Sequence, residues 1–311
     1  MKQAIDVAAA RSPSLPANAR GILWALCAAG SLALMLTLIK LLGQGVPVAQ
    51  ILFIRQAIIF LVALPAIALA FPGSITSSRH RLHLLRVLLS LSAMLAGYTA
   101  IVHLPLADYT ALTFSRAFFV TIFAIWFLGE IVDGRRWMAT IIGFVGVLIM
   151  LRPGQDGADI YALLAIFGAA CVAGVSVILR MLTRTESPTT ILTYQAVAIG
   201  VLIAPFAAYV WVDLSVVQWL QAVGIGLLGA LAQMSSIRAF RSGQAAVVAP
   251  IDYTKLIWTS AIGFVLFSEL PQGHTLLGAA IIVIASLYVL IREVTHAPRP
   301  GLDRAGPGDR I

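Results

Sequence analysis

Runs of about twenty apolar residues, parted by short polar interruptions, recur along the whole chain, and that is the length a helix needs to cross a hydrocarbon layer roughly 30 Å thick. Ten such runs can be marked, at about 21–42, 50–71, 83–103, 107–128, 136–152, 160–182, 189–211, 216–238, 246–267 and 274–291. They predict an all-α membrane protein with ten transmembrane helices. The connections are too short to hold a soluble catalytic domain. The first run, Ile22 to Leu42, is too long for a signal-peptide core and lacks a small-residue cleavage pattern, so it reads as a retained helix. The Pro- and Arg-containing ends, 1–20 and 293–311, read as disordered tails.

Composition agrees with this pattern. The chain is 60% hydrophobic and 11% charged, against about a quarter charged in soluble domains. A formal charge of +8 would suggest a nucleic-acid partner in a soluble protein, but its distribution gives another reading. Of the 21 Lys and Arg, sixteen fall on one predicted face of the membrane, Lys40 and Arg152 on the other, and Arg55, Arg116 and Lys255 within the runs. The positive-inside rule then puts both termini in the cytoplasm, consistent with an even number of spans, and explains the basicity without nucleic acid. Cys27 and Cys171 both fall in apolar runs, where a thiol acts as a small hydrophobe, so neither a disulfide nor a metal site is expected.

The chain reads as duplicated. ILFIRQAIIFLVALP at 51–65 aligns with ILTYQAVAIGVLIAP at 191–205, and the stretch ending in FLGE at Glu130 aligns with the one ending in FSEL at Glu269. The halves are 21–152 and 160–292, each with five runs. Five is odd, so the second half enters the membrane from the opposite side. Inverted repeats characterise many secondary transporters, because one unit facing in two directions supplies two near-equivalent conformations.

Arg116 and Lys255 each lie fourteen residues before the Glu of their repeat. Both come about nine residues into their runs, which at 1.5 Å per residue is about 14 Å deep, near the midplane. A cation there costs roughly 2.5–3.5 kcal/mol on insertion scales, so a functional reading comes first. We read the two as a converging substrate-binding pair. Asp252, three residues before Lys255 on the same helical face, is its partner or a proton-accepting group. Phe114 and Tyr253 stand two residues before the two cations and offer stacking faces, with Tyr98, Tyr194 and Trp258 as further rings. Arg55, about five residues from the outer end of its run, is within snorkelling reach of the interface and reads as an anchor. Pro250 marks either a simple kink or a break facing a cavity. Glu130 and Glu269 end their runs near opposite surfaces, either solvated or as paired gates. The small-residue pairs Gly143/Gly146, Ala93/Gly97 and Gly226/Gly229 suit close helix packing. No cofactor is called for.

Several stretches are family-like: LPLADYTALTFSRAFFVTIFAIWFLGE within 104–154, GFVGVLIMLRPG ending at Gly154, and AAVVAPIDYTKLIWTSAIGFVLFSELP at 245–271. In these the chain resembles the EamA branch of the drug/metabolite transporter superfamily over about 20–292. The resemblance implies ten helices in two EamA repeats and a central cavity lined by the first, third, fourth, sixth, eighth and ninth. It implies transport of small metabolites without fixing one; similar members move amino acids, S-adenosylmethionine, riboflavin, nucleosides or metallophores. Many relatives carry a small residue or Pro near Arg116, so TFSRAF departs from the pattern.

These readings converge on a multi-pass carrier of a bacterial-type inner membrane, not an enzyme, that moves a small polar or anionic metabolite by alternating access. Its partners are the lipid bilayer, the solute and, for coupling, a proton or exchanged solute. Riboflavin or a related aromatic metabolite is the preferred substrate, and amino acids or derivatives such as S-adenosylmethionine are the alternative. A channel would need pore loops and an intramembrane enzyme a nucleophile–base pair or metal ligands; neither pattern is visible.

Overall fold

A computed structural model describes residues 17–71, 73, 77–129, 134–151, 159–243 and 245–295. Among them every regular element is helical: α1 (Ala17–Leu42), α2 (Val48–Leu69), α3 (His80–His103), α4 (Leu106–Thr113), α5 (Arg116–Leu128), α6 (Gly134–Leu151), α7 (Ile160–Leu182), α8 (Pro188–Tyr209), α9 (Val216–Ser242), α10 (Ala245–Val248), a 3-10 turn (Ala249–Tyr253), α11 (Thr254–Phe267) and α12 (Gly273–Thr295). Seven passes among the described residues are long and apolar enough to cross a membrane, namely α1, α2, α3, the combined α4–α5, α7, α8 and α9. In α6 and α12 the comparable apolar stretches are shorter, Thr140–Leu151 and Gly273–Tyr288. The fold is all-helical as expected, with seven passes of spanning length and composition among the described residues.

Polar residues fix where several helices start. Asp159 accepts from Tyr161 N–H ahead of α7, Ser187 from Thr190 N–H ahead of α8, and Ser215 forms a reciprocal capping box with Gln218 ahead of α9. Such caps satisfy backbone donors that would otherwise be orphaned, at about 1 kcal/mol each. Pro65 and Pro205, aligned in the two halves, both sit inside unbroken helices.

The helix contacts repeat when the halves are exchanged. α1 packs along α9 as α7 packs along α3, and α11 lies on α1 as α5 lies on α7. α2 pairs with α8, and α6 with α12, so these two seams join an element to its own counterpart. The clearest instance is Gln56, whose Nε2 donates to the carbonyl of its aligned mate Ala196 at 3.2 Å.

Lipid offers no hydrophobic drive between helices, so close approach of small residues carries the packing. The glycines of the three sequence pairs all lie inside the bundle. A Cβ on Gly143 would strike the Phe118 ring, one on Gly97 the Tyr109 hydroxyl at 2.9 Å, and one on Gly226 the Ile58 side chain at 2.7 Å. The outer perimeter is apolar, with Trp126 and Phe127 of α5 and Val265 of α11 all exposed.

The α6–α12 seam is the tightest test of this packing. A Cβ on Gly278 would come 2.6 Å from the Gly146 carbonyl oxygen, and overpacking of that kind typically costs about 1–3 kcal/mol. Gly278→Ala is expected to lower the melting temperature in detergent by several degrees. Gly30→Ala, with nothing within 4 Å of the new methyl, leaves it unchanged or higher. A wild-type melting curve for Gly278→Ala would reject the tight crossing.

Candidate functional site

Two passes change pitch midway. α4 ends at Thr113 and α5 begins at Arg116, and between them the backbone bonds tighten to i→i−3: Phe114 N–H donates to Ala111 O, Ser115 to Leu112 and Ala117 to Phe114, each at 3.1 Å. The helix expected over 107–128 is one pass, Leu106–Leu128, with a local change of pitch at Phe114 and Ser115. No proline causes the break. Thr110 Oγ1 donates to Leu106 O at 2.8 Å and Thr113 Oγ1 to Thr110 O at 2.6 Å, and hydroxyls that bond back to the preceding turn bend helices. The corresponding pass does the same with a proline: the 3-10 turn carries Pro250, and Thr254 Oγ1 donates to Ile251 O at 2.7 Å. Short 3-10 stretches inside helices often mark functional hinges.

The breaks put Arg116 at the first residue of α5 and Lys255 at the second of α11. The N–H groups at both places donate to carbonyls of the preceding turn, so the positive charge there is that of the two side chains. Lys255 is buried; its Nζ donates to Asp252 Oδ2 at 2.7 Å and lies over the Phe114 ring, 5.0 Å from the centroid. Phe114 meets Tyr253 edge-on, with centroids 4.8 Å apart and planes at 71°. Arg116 is exposed, yet close enough for its charge to act on Asp252, Tyr253 and Lys255. The Asp252 side chain is 48% exposed.

Arg116, Lys255, Asp252, Phe114 and Tyr253 thus meet where the two broken passes adjoin. Two cations against one carboxylate leave surplus positive charge, open on one side and backed by aromatic rings on the other. Such an arrangement can take an anionic or acceptor-rich planar group.

Tyr98 and Trp258 stand apart. Tyr98 packs with Met35, Ile39 and Ile101 in the adjoining core, its hydroxyl buried without a partner. Trp258 is 45% exposed and shares none of the ring contacts of the cluster. Arg55 corrects the anchor expectation: its guanidinium turns into the bundle, with Nη1 3.8 Å from Met94 Sδ of α3 and Nε beside Gly229 of α9. Inward packing has overridden snorkelling.

Sequence reasoning passed over two residues. The Ser115 hydroxyl is buried at the first break with no partner, and nothing but its place beside Arg116 could have flagged it. Lys40, taken only as an outer-face charge, is buried: it pairs with Glu269, donates to Leu104 O at 2.6 Å and rests over the Phe267 ring at 5.0 Å. The other Glu269 oxygen accepts from Leu106 N–H at 2.9 Å. One end of the bundle is thereby tied across α1, the α3–α4 turn and the end of α11. Glu130, the aligned carboxylate, lies outside the described residues. Each cation is followed thirteen residues later by a left-handed helix cap, Gly129 at φ 66° and Ser268 at φ 55°.

An apolar crevice of about 200 Å³ lies between α2 and α8, lined by Phe53, Phe60, Ala196 and Val201 among others. It has no charged lining and shares no residue with the cluster.

Comparison with known proteins accords with this architecture. A riboflavin transporter of Brucella anthropi is 31% identical over 80% of this chain and 90% of its own length. An S-adenosylmethionine uptake transporter of Rickettsia bellii is 29% identical over 88% of this chain and 94% of its own. A protein of known crystal structure superposes with a TM-score of 0.60 at 16% identity, over 90% of this chain and 99% of its own, a likeness of fold alone. The model of the EamA-like transporter family matches twice, at residues 19–152 and 159–291. With both halves matched, the chain belongs to the EamA-like transporter family.

Proposed function

We propose that this protein is a secondary carrier of a bacterial inner membrane, in which all ten passes cross the bilayer as two inverted five-helix repeats with both termini cytoplasmic. The solute binds at the two broken passes, between Arg116, Lys255 and Asp252, with Phe114 and Tyr253 against its ring. The observation that carries this reading is that both mid-run cations stand at the pitch changes of two adjoining passes, where a charge in the apolar interior marks a functional site. Lys255 is already held by Asp252, so Arg116, exposed and bound to no acid among the described residues, is the charge offered to the solute.

Riboflavin or a related aromatic metabolite suits a pair of rings meeting edge to face beside hydrogen-bond donors, and a similar chain is named for it. Asp252 favours a second reading. Its carboxylate is half-exposed and gives one oxygen to Lys255, leaving the other for the cationic part of a solute such as S-adenosylmethionine, for which another relative is named. The same carboxylate is the candidate for carrying a coupled proton, with an exchanged solute as the other means of coupling. Counterflow into proteoliposomes separates these readings. Stimulation by riboflavin alone selects the first and by S-adenosylmethionine alone the second; non-saturating flux indicates a channel, and chemically altered solute an enzyme.

Losing a charge-assisted contact costs roughly 1.5–3 kcal/mol, or about ten- to a hundredfold in affinity. Arg116→Ala and Lys255→Ala should each reduce counterflow by at least that factor while the protein still reaches the membrane. Normal transport by both variants would falsify the site.

The Lys40–Glu269 tie acts as a gate. Glu269→Gln is expected to slow turnover roughly tenfold, as for loss of one ionic hydrogen bond, with little change in the solute concentration that half-saturates a ligand-induced melting shift. Equal loss of binding and turnover would make Glu269 part of the solute site instead.

A further inference from the structure

Arg55 and Tyr98 satisfy none of the roles assigned above. Arg55 lies seven residues into α2, about 10 Å along the helix axis from its start. Its Nη1 meets the Met94 thioether at 3.8 Å, and its Nε is buried with no partner among the described residues. A thioether is a weak acceptor for a guanidinium. Tyr98, four residues on from Met94, is 6% exposed, its hydroxyl also buried without a partner, and it lies within reach of the Arg55 charge. Two unsatisfied donors on either side of Met94 in an apolar bundle are costly, and such groups call for an explanation.

Their surroundings supply one. Met35 of α1, Met94 of α3 and Gly229 of α9 border the guanidinium; a Cβ on Gly229 would lie only 3.6 Å from Arg55 Nε and 3.1 Å from Met35 Sδ. Even a methyl at Gly229 would crowd Met35, so the donors are closely packed in this state, and it is the flexible methionines that must yield to admit a guest. Tyr109 packs against both the core cluster holding Tyr98 and the one holding Phe114 and Tyr253. Tyr109 is thus the packed link between the core that holds the pair and the core that holds Phe114. The pair also lies beneath the Lys40–Glu269 tie, since Tyr98 precedes by six residues the Leu104 carbonyl that Lys40 holds.

We propose that Arg55 and Tyr98 form a second subsite of the same solute path, which takes a hydrogen-bond acceptor of the solute and opens when the Lys40–Glu269 tie parts. The acceptor is a carboxylate or a pair of imide-type carbonyls, the two groups that a planar guanidinium fork and a neighbouring hydroxyl match. The inference rests on the carrier reading and adds to it the second end of the solute.

Tyr98→Phe tests it, because it removes only a hydroxyl that the protein itself does not use. Full-length protein in proteoliposomes is assayed by counterflow of riboflavin and of S-adenosylmethionine. Tyr98→Phe and Arg55→Lys are expected to raise the KM of the carried solute roughly tenfold, as for loss of one hydrogen bond to a charged or strongly polar group. Tyr98→Phe should melt at or above the wild-type temperature. Analogues identify the acceptor. If it is a carboxylate, decarboxylated S-adenosylmethionine competes poorly against wild type and relatively better against the variants. If it is an imide, an N3-methylated flavin behaves so. KM values within twofold of wild type for both variants, with Arg116→Ala inactive, overturn the subsite and leave the carrier reading standing. Uptake of neither solute by wild type overturns both.

Discussion

A charge held within an apolar bundle must be met by another polar group, because neither lipid nor a packed side chain can replace its water. That demand organises the interior of this protein. Lys255 takes Asp252 and the face of Phe114, and Lys40 takes Glu269 and the Leu104 carbonyl. The helices bend to make these meetings possible. The pitch tightens at residues 113–116 and in the 3-10 turn at Ala249–Tyr253, and these two places bring Phe114 to the Lys255–Asp252 pair. Irregular backbone at such depth persists only where it is enclosed by protein or faces a polar space.

Duplication then decides which of these features come in pairs. Cation, helix break and left-handed cap recur at matched offsets in both halves. The chemistry has diverged over the shared frame. One break is made by threonine hydroxyls and the other by proline, one cap is glycine and the other serine, and only the second cation has a carboxylate three residues before it. The frame sets where a group stands; the individual residues set which solute it can meet.

The parts of this arrangement that were legible in the sequence are those where cost per residue is high. Charges in the centre of apolar runs cannot be incidental, so Arg116, Lys255 and Asp252 stood out, and Phe114 and Tyr253 followed from their equal spacing to the cations. The role of these residues in binding remains our proposal. Less was legible where the outcome depends on which way a side chain turns. Tyr98 and Trp258 are aromatic residues like Phe114, and only packing separates them from the cluster. Arg55 was near enough to the interface to reach it, but its guanidinium folds inward. Lys40 looked like a surface charge because its acid, Glu269, lies 229 residues away. The break at Phe114 carries no proline, and threonines are too common in membrane helices to announce one.

The bond from Gln56 to Ala196 joins two positions that the repeat itself equates. Swapping the conformations of the halves sends this pair onto itself, so the α2–α8 seam has no reason to separate as the carrier reverses, and the same holds for α6 against α12. The contacts of α1 with α9 and of α7 with α3 are exchanged for one another instead. In the carrier proposed above, motion is expected where contacts exchange, with the self-paired helices as the fulcrum about which the rest rocks.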